Sequence, residues 1–287
     1  MEKKILIASD STTDLGEALI SQYGVKILPL GVTLGEKQYE DGVDVDPDAI
    51  YAHYENTREL PKTCAINMAQ AQTFFQKYTD EGYAVVFFTI SSEMSSTYQN
   101  VRLAATEFED VYVVDTKNLS TGGGLLVLRA CEMARDGYSA EEIVAVCESL
   151  RDRVDASFVI DSLEFLHKGG RCSALAAFGA NLLALKPCIV VRDSKMSVAK
   201  KYRGRFADVL KKYVADQLGD ASDIELDHVF VTHAGCDAEI VASCVAQVKA
   251  LAPFRAVHIT RAGCTVSSHC GRNTLGVLFI RKREIAK

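Results

Sequence analysis

Over the first 150 residues short apolar runs alternate with amphipathic segments of helical length. KILIAS (4–9) is apolar at nearly every position and runs into the polar SDSTTDL, after which LGEALISQYG places apolar residues at helical spacing and closes on Gly24. VKILPLGVTL predicts a strand interrupted by Pro29, and the acidic EDGVDVDP leads to Pro47, a favourable first-turn residue for the helix AIYAHYENT. PKTC predicts a loop ahead of an amphipathic helix that ends at Gly82. AVVFFTIS and VYVVDT are apolar throughout, the pattern of strands covered on both faces. Each is followed by a polar cluster, SSEMSS or KNLSTGGG, and then by a helix, TYQNVRLAATEF or LLVLRACEMARDG.

The second half has a different grain. After the helix EEIVAVCESLRDRV come a strand, ASFVIDS, a helix that stops at a glycine pair, LEFLHKGG, and an almost wholly apolar helix, ALAAFGANLLAL (174–185). CIVVRDSKMSVAKKYRG predicts a β-hairpin turning at Asp193 and Ser194, with FADVLKKYVADQL helical behind it. HVFVTHAG and RAVHITRAG predict strands around the helix AEIVASCVAQVKAL, and TLGVLFIRK predicts a closing strand. The expected architecture is therefore α/β in two domains. Residues 1–152 form an N-terminal domain with a mostly parallel sheet, and residues 153–287 form a mixed α/β domain with more antiparallel pairing. In a parallel sheet ligands gather at the carboxyl ends of the strands. SDSTTD, SSEMSST and DTKNLSTGGG all fall there, so they should converge on one edge.

Composition narrows the function. With 287 residues, 48% of them apolar and 24% charged, the chain is ordinary globular material, long enough to bury about 75% of its unfolded surface and to enclose a cavity. A net charge of −6 and a pI near 5.6 oppose a nucleic-acid partner, because affinity for polyanions comes from clustered Lys and Arg. MEKKILIASD passes directly into an apolar run, with no signal-peptide core and no membrane-spanning stretch, which predicts a cytoplasmic protein without stable membrane insertion. Nine cysteines at scattered spacing, with no C-x-x-C pair, predict reduced thiols rather than a disulfide framework or a zinc ribbon. Cys264, His269 and Cys270 come nearest to a metal set, but neighbouring side chains on a strand point to opposite faces, so no metal is expected.

Each polar motif has a structural and a chemical reading. SDSTTDL is a ligand loop or a helix-capping pattern. STGGG (120–124) is an anion cradle or, lacking both the Walker Lys-Ser/Thr pair and a spaced G-x-G-x-x-G, a tight strand-to-helix turn. Thr63, Ser95 and Ser96 are hydroxyl donors at loop ends or N-caps. His269 and Arg272 lie in a connector between two apolar runs, VHIT and TLGVLFI, where their polar groups either serve a turn or face a ligand. Arg171 and Arg203 stand beside glycines and would ordinarily be solvated.

Taken in order, SDSTTDL, Thr63-Cys64, ISSEMSSTYQ, VVDTKNLSTGGG, FVIDSLEFLHKGGR, LKPCIVV, KYRG and SSHCGRNTLGV resemble the DegV family from about Ile5 to Phe279. The resemblance implies a two-domain α/β protein that holds one long-chain fatty acid between its domains. It further implies a lipid-binding subunit without catalysis or cofactor of its own, which presents the carboxylate to a separate ATP-binding fatty acid kinase subunit. Thr63, Ser95 and His269 would bind the carboxylate, with Ser96, Gly271 and Arg272 beside them. Arg171 and Arg203 would dock the kinase subunit or its phosphates. This chain departs from the family pattern at Ser96, where a glycine is usual, at Cys64-Ala65-Ile66-Asn67, and at His269-Cys270-Gly271-Arg272-Asn273, where H-x-G-P-G is usual. A second function follows from the residues themselves: an enzyme acting directly on a small carboxylate or phosphorylated substrate, with His269 as general base. Arg272 is the residue that favours it. No carboxylate cluster is apparent to complete such a site.

Overall fold

A computed structural model describes residues 3–172 and 185–285. Its first sheet is parallel, in the order β2-β1-β6-β7, from β1 (Lys4–Asp10), β2 (Lys26–Leu28), β6 (Tyr83–Thr89) and β7 (Val111–Asp115). Alternate residues of these strands face opposite ways, and both faces are apolar. Leu6, Ala8, Val85 and Phe87 pack against α3 (Met68–Asp80) and α4 (Thr97–Ala105). Ile7, Val86 and Phe88 pack on the other side against α1 (Gly16–Tyr23) and α5 (Thr121–Arg135).

The second sheet is mixed, in the order β10-β9-β8-β13-β11-β12. It contains β8 (Val154–Ile160), β9 (Leu185–Arg192), β10 (Lys195–Arg203), β11 (Ile224–Ala234), β12 (Ala256–Arg261) and β13 (Thr274–Arg281). Among the described residues of this sheet, only β11 and β12 pair parallel. The β9–β10 hairpin turns at Asp193 and Ser194, both at positive φ (47° and 66°), the geometry a tight two-residue turn needs to match strand twist. One face of this sheet, through Phe158, Ile189, Phe230 and Leu278, shares a core with α5, so α5 lies between the two sheets. The opposite face is covered by α8 (Phe206–Leu218) and α9 (Ala238–Leu251). ALAAFGANLLAL lies outside the described residues apart from Leu185, which opens β9.

Three local expectations are corrected. VKILPLGVTL is not one strand. Proline has no N–H for a ladder, and the chain leaves the parallel sheet at Pro29. It re-enters as β3 (Gly31–Leu34) of a small antiparallel sheet, β4-β3-β5, completed by β4 (Lys37–Glu40) and β5 (Lys62–Cys64). PKTC is accordingly a strand end rather than a loop. Thr63 pairs opposite Val32 through β-bridges that no local pattern announces.

The third correction concerns the connector around His269. Cys264–Cys270 is a short α-helix, the last in the chain, flanked by Gly263 and by Gly271 at φ 74°. We number it α10, after α2 (Pro47–Thr57), α6 (Ala140–Leu150) and α7 (Glu164–Gly169). No described helix is long and apolar enough to cross a membrane.

Candidate functional site

The loops after β1, β6 and β7 meet as the parallel topology requires. Asp10 accepts from the Ile90 N–H at 2.7 Å, the Ser91 N–H donates to the Asn118 carbonyl at 2.8 Å, and the Ser120 hydroxyl donates to Asp14 at 2.5 Å. The glycines of STGGG serve packing. A Cβ on Gly124 would come within 2.9 Å of Leu15 and of the Thr13 carbonyl, and one on Gly122 would overlap Asn118. Gly124 lets the first turn of α5 seat against the β1 loop, and Gly122 and Gly123 let it fold back on Asn118 and Thr116 after β7.

Between these loops and the mixed sheet lies a cavity of about 220 Å³. Its wall is largely apolar, with Ile90, Met94, Leu119, Phe158, Val191 and Leu278 among its residues. Thr63, Ser95, Ser96, Arg171 and His269 also line it. A neighbouring depression shares Thr63, Arg171 and His269 with the cavity and adds Lys62, Lys168 and Glu59, so the polar side opens toward a rim in which basic groups outnumber acidic ones.

His269 Nε2 lies 3.0 Å from Thr63 Oγ1, across 206 residues of sequence. Among the described residues its Nδ1 is buried without a partner, against Gly169, where an added Cβ would come within 2.7 Å. A buried N–H left unpaired is rarer than an acceptor left unpaired, which assigns the proton to Nε2. Nε2–H then donates to Thr63, whose own O–H is free to turn to a ligand. Burial, and secondarily the charge of Arg171, lower the imidazole to about 4, so His269 is neutral at pH 7.

Ser95 accepts from the Thr97 N–H at 3.2 Å and shares a 2.9 Å hydroxyl contact with Thr97, while Ser96 makes no side-chain cap to α4. Arg171 donates to the Gly169 carbonyl at 2.8 Å. Gly271, Arg272 and Arg203 are not among the described residues lining the cavity. Gly271 holds a positive φ tightly against the Phe165 ring. The Arg272 guanidinium lies 4.7 Å above the Tyr51 ring and 3.7 Å from Glu55, both on α2. Arg203 is exposed at the end of β10.

The sequence reading missed a buried carboxylate cluster. Asp10, Asp14 and Asp41 are all nearly inaccessible, and burial raises Asp10 to about 6 and Asp14 well above the usual carboxylate range. Asp14 accepts from the Gly263 N–H at 2.8 Å, and Asp41 accepts from Cys264 N–H (2.7 Å) and Thr265 N–H (3.0 Å). The helix bearing His269 is thus capped from the first half of the chain. SDSTTD carried a capping signal, but for a helix next to it in sequence. Asp41 carried none. No described group of His, Cys, Asp and Glu is arranged to hold a metal ion. None of the nine cysteines is in a disulfide among the described residues, and only Cys64 is exposed.

Comparison with known proteins gives a consistent picture. A family model described as an uncharacterised protein of the DegV family matches residues 4–282. A DegV domain-containing protein of Clostridium acetobutylicum is 33% identical over 282 residues, which cover 98% of this chain and 99% of the relative. Among solved structures, a Thermus thermophilus DegV family protein described by its fatty acid binding superposes with a TM-score of 0.90 at 29% identity, over 97% of this chain and 99% of its own. A stearic-acid-binding protein from Eubacterium ventriosum superposes with a TM-score of 0.84 at 26% identity, over 98% and 99%.

Proposed function

This chain belongs to the DegV family, and from that premise we propose that it binds a long-chain fatty acid in the cavity between its two sheets. The observation that carries the reading is the pairing of an apolar wall with a neutral imidazole and hydroxyls, Thr63 with His269, on the side that opens to the basic rim. A carboxylate cannot be buried unless donors replace its water shell. The Thr63 hydroxyl, oriented by the His269 Nε2–H that donates to its oxygen, does so, with Ser95 and Ser96 on the same wall, and a charge-assisted hydrogen bond of this kind contributes about 1.5–3 kcal/mol. The aliphatic tail contributes at most about 12 kcal/mol for a C16 chain at about 0.8 kcal/mol per methylene. The tail supplies affinity, and the donors fix which end faces outward.

The cavity is smaller than the roughly 300–1,000 Å³ typical of ligand pockets. Admission of a long chain therefore requires wall side chains to move, and Met94 and Met196, with flexible thioethers, are suited to yield. In the cell, we propose, the protein works in the cytoplasm as a carrier, and a separate ATP-binding kinase subunit docks at the basic rim through Arg171 and phosphorylates the presented carboxylate. Arg203, away from the cavity, would extend that docking surface. Arg272, the residue that favoured direct catalysis on a small substrate, is stacked on Tyr51 outside the cavity, so carriage is preferred over turnover.

Denaturing mass spectrometry of protein purified from a bacterial host should release a stoichiometric acyl chain, and His269→Ala should lose it on washing. Empty protein that takes up neither labelled palmitate nor oleate would end the reading. The kinase half is tested separately, by transfer of labelled phosphate from ATP to the bound acid only when the partner subunit is added.

A further inference from the structure

A helix of seven residues does not persist on intrinsic propensity, so α10 depends on its surroundings for its existence and its direction. What surrounds its N-terminus comes from the other half of the chain. Gly263, Cys264 and Thr265 offer their N–H groups to Asp14 and Asp41, and Asp41 serves two of them with separate oxygens. Its Oδ2 also receives the Ser11 hydroxyl at 3.0 Å, which fixes the carboxylate plane. The Cys264 thiol donates to the Val45 carbonyl at 3.3 Å. On either side of the helix, Arg261 is bidentate to Asp48 (2.9 and 2.5 Å) and Arg272 lies over Tyr51. His269 stands one turn beyond Thr265, at i+4 on the same face, and both residues line the cavity.

We propose that Asp41, assisted by Asp14, is a positioning residue for His269: its two capping bonds set the axis of α10 and so bring the imidazole to Thr63. Neither carboxylate is among the cavity's lining residues, so the effect is transmitted through the helix. The role rests on the fatty-acid reading for its physiological meaning, but its geometry can be tested without any ligand.

Asp41→Asn keeps the shape and one acceptor oxygen but turns an amide NH₂ toward one of the two N–H donors, so one cap is lost. Palmitate binding is measured for the wild type, Asp41→Asn, His269→Ala and the double variant. Each single variant should weaken binding about tenfold, the loss expected when one neutral hydrogen bond, that from Nε2–H to Thr63, is removed. The double should be no weaker than His269→Ala alone, within about twofold, because both changes remove the same contact. Multiplication of the two losses in the double, or unchanged binding by Asp41→Asn, overturns the proposal.

The second readout is the titration of His269 followed by imidazole NMR in ligand-free protein. A helix released from Asp41 exposes the ring, and its midpoint should climb from about 4 toward the ordinary 6.5. An unmoved midpoint also overturns the proposal. Absence of palmitate binding by the wild type would end the fatty-acid reading and leave this titration to decide the positioning role. Should Asp41→Asn fail to fold, Ser11→Ala removes the hydroxyl that orients Asp41 and that also accepts from the Leu30 N–H. It should move the same two readouts in the same direction, with binding weakened about threefold, and no movement in either overturns the proposal.

Discussion

Replacing His269 by glutamine should change how stability depends on pH. An imidazole that titrates at about 4 in the folded chain and near 6.5 when unfolded binds its proton more readily in the unfolded state. Between those values the unfolded chain therefore holds more protons, and the contribution of His269 to stability is lost as pH falls from 6.5 toward 4. At about 1.4 kcal/mol per pH unit the span corresponds to about 3 kcal/mol. Asp10 acts in the opposite sense. Its carboxyl, raised by burial to about 6, makes the folded chain the better proton binder between 3.8 and 6, so its contribution declines as pH rises through that window. The two effects partly cancel in the wild type, and the difference between wild type and His269→Gln isolates the histidine. Urea unfolding followed by far-ultraviolet circular dichroism, at half-unit steps from pH 7.5 to 4, should show the wild type losing about 3 kcal/mol relative to the variant on acidification. Saturating palmitate should shrink that gap, since a carboxylate beside Nε2 favours the imidazolium. A difference that stays flat across the range, or that favours the wild type in acid, would refute the burial argument on which the neutral donor depends.

Three further outcomes are expected. Ellman titration of native protein should find one fast thiol, Cys64, the exposed one of the nine and part of the cavity wall, and loading with fatty acid should slow it; fast reaction of two or more thiols contradicts the fold. Arg272→Ala removes a partly exposed cation–π contact worth about 0.5–1 kcal/mol and should leave palmitate affinity within about twofold by calorimetry. A tenfold loss would instead put the guanidinium in the ligand's path. Tyr213→Phe takes a fully buried hydroxyl from the Ser157 carbonyl (2.7 Å) and from the Val277 N–H that donates to it (2.8 Å). It should cost about 1–3 kcal/mol in denaturant unfolding without altering ligand uptake, and a cost near zero would mean that neither backbone group depends on it.

The residues by themselves determined the alternation of apolar strands and amphipathic helices, the meeting of the polar loops at the strand ends, and the turn at Asp193 and Ser194, because each follows from periodicity or backbone preference within a few neighbouring positions. Thr63, Ser95 and His269 stood out as short polar groups between apolar runs, joined by the family resemblance. Only the tertiary structure decided that Pro29 divides one apolar run between two sheets, that Thr63 lies on a strand, and that the connector around His269 is a helix. Those outcomes rest on partners far away in the chain: Val32 opposite Thr63, and Asp14 and Asp41 at the α10 N-terminus. Gly169 reads as a helix stop yet leaves room for His269 Nδ1, and Arg272 reads as a site cation yet lies over Tyr51. A local pattern encodes what a segment can form. Which buried groups its polar atoms meet is set by long-range packing, and at this site that packing places the imidazole, keeps it neutral and directs its proton.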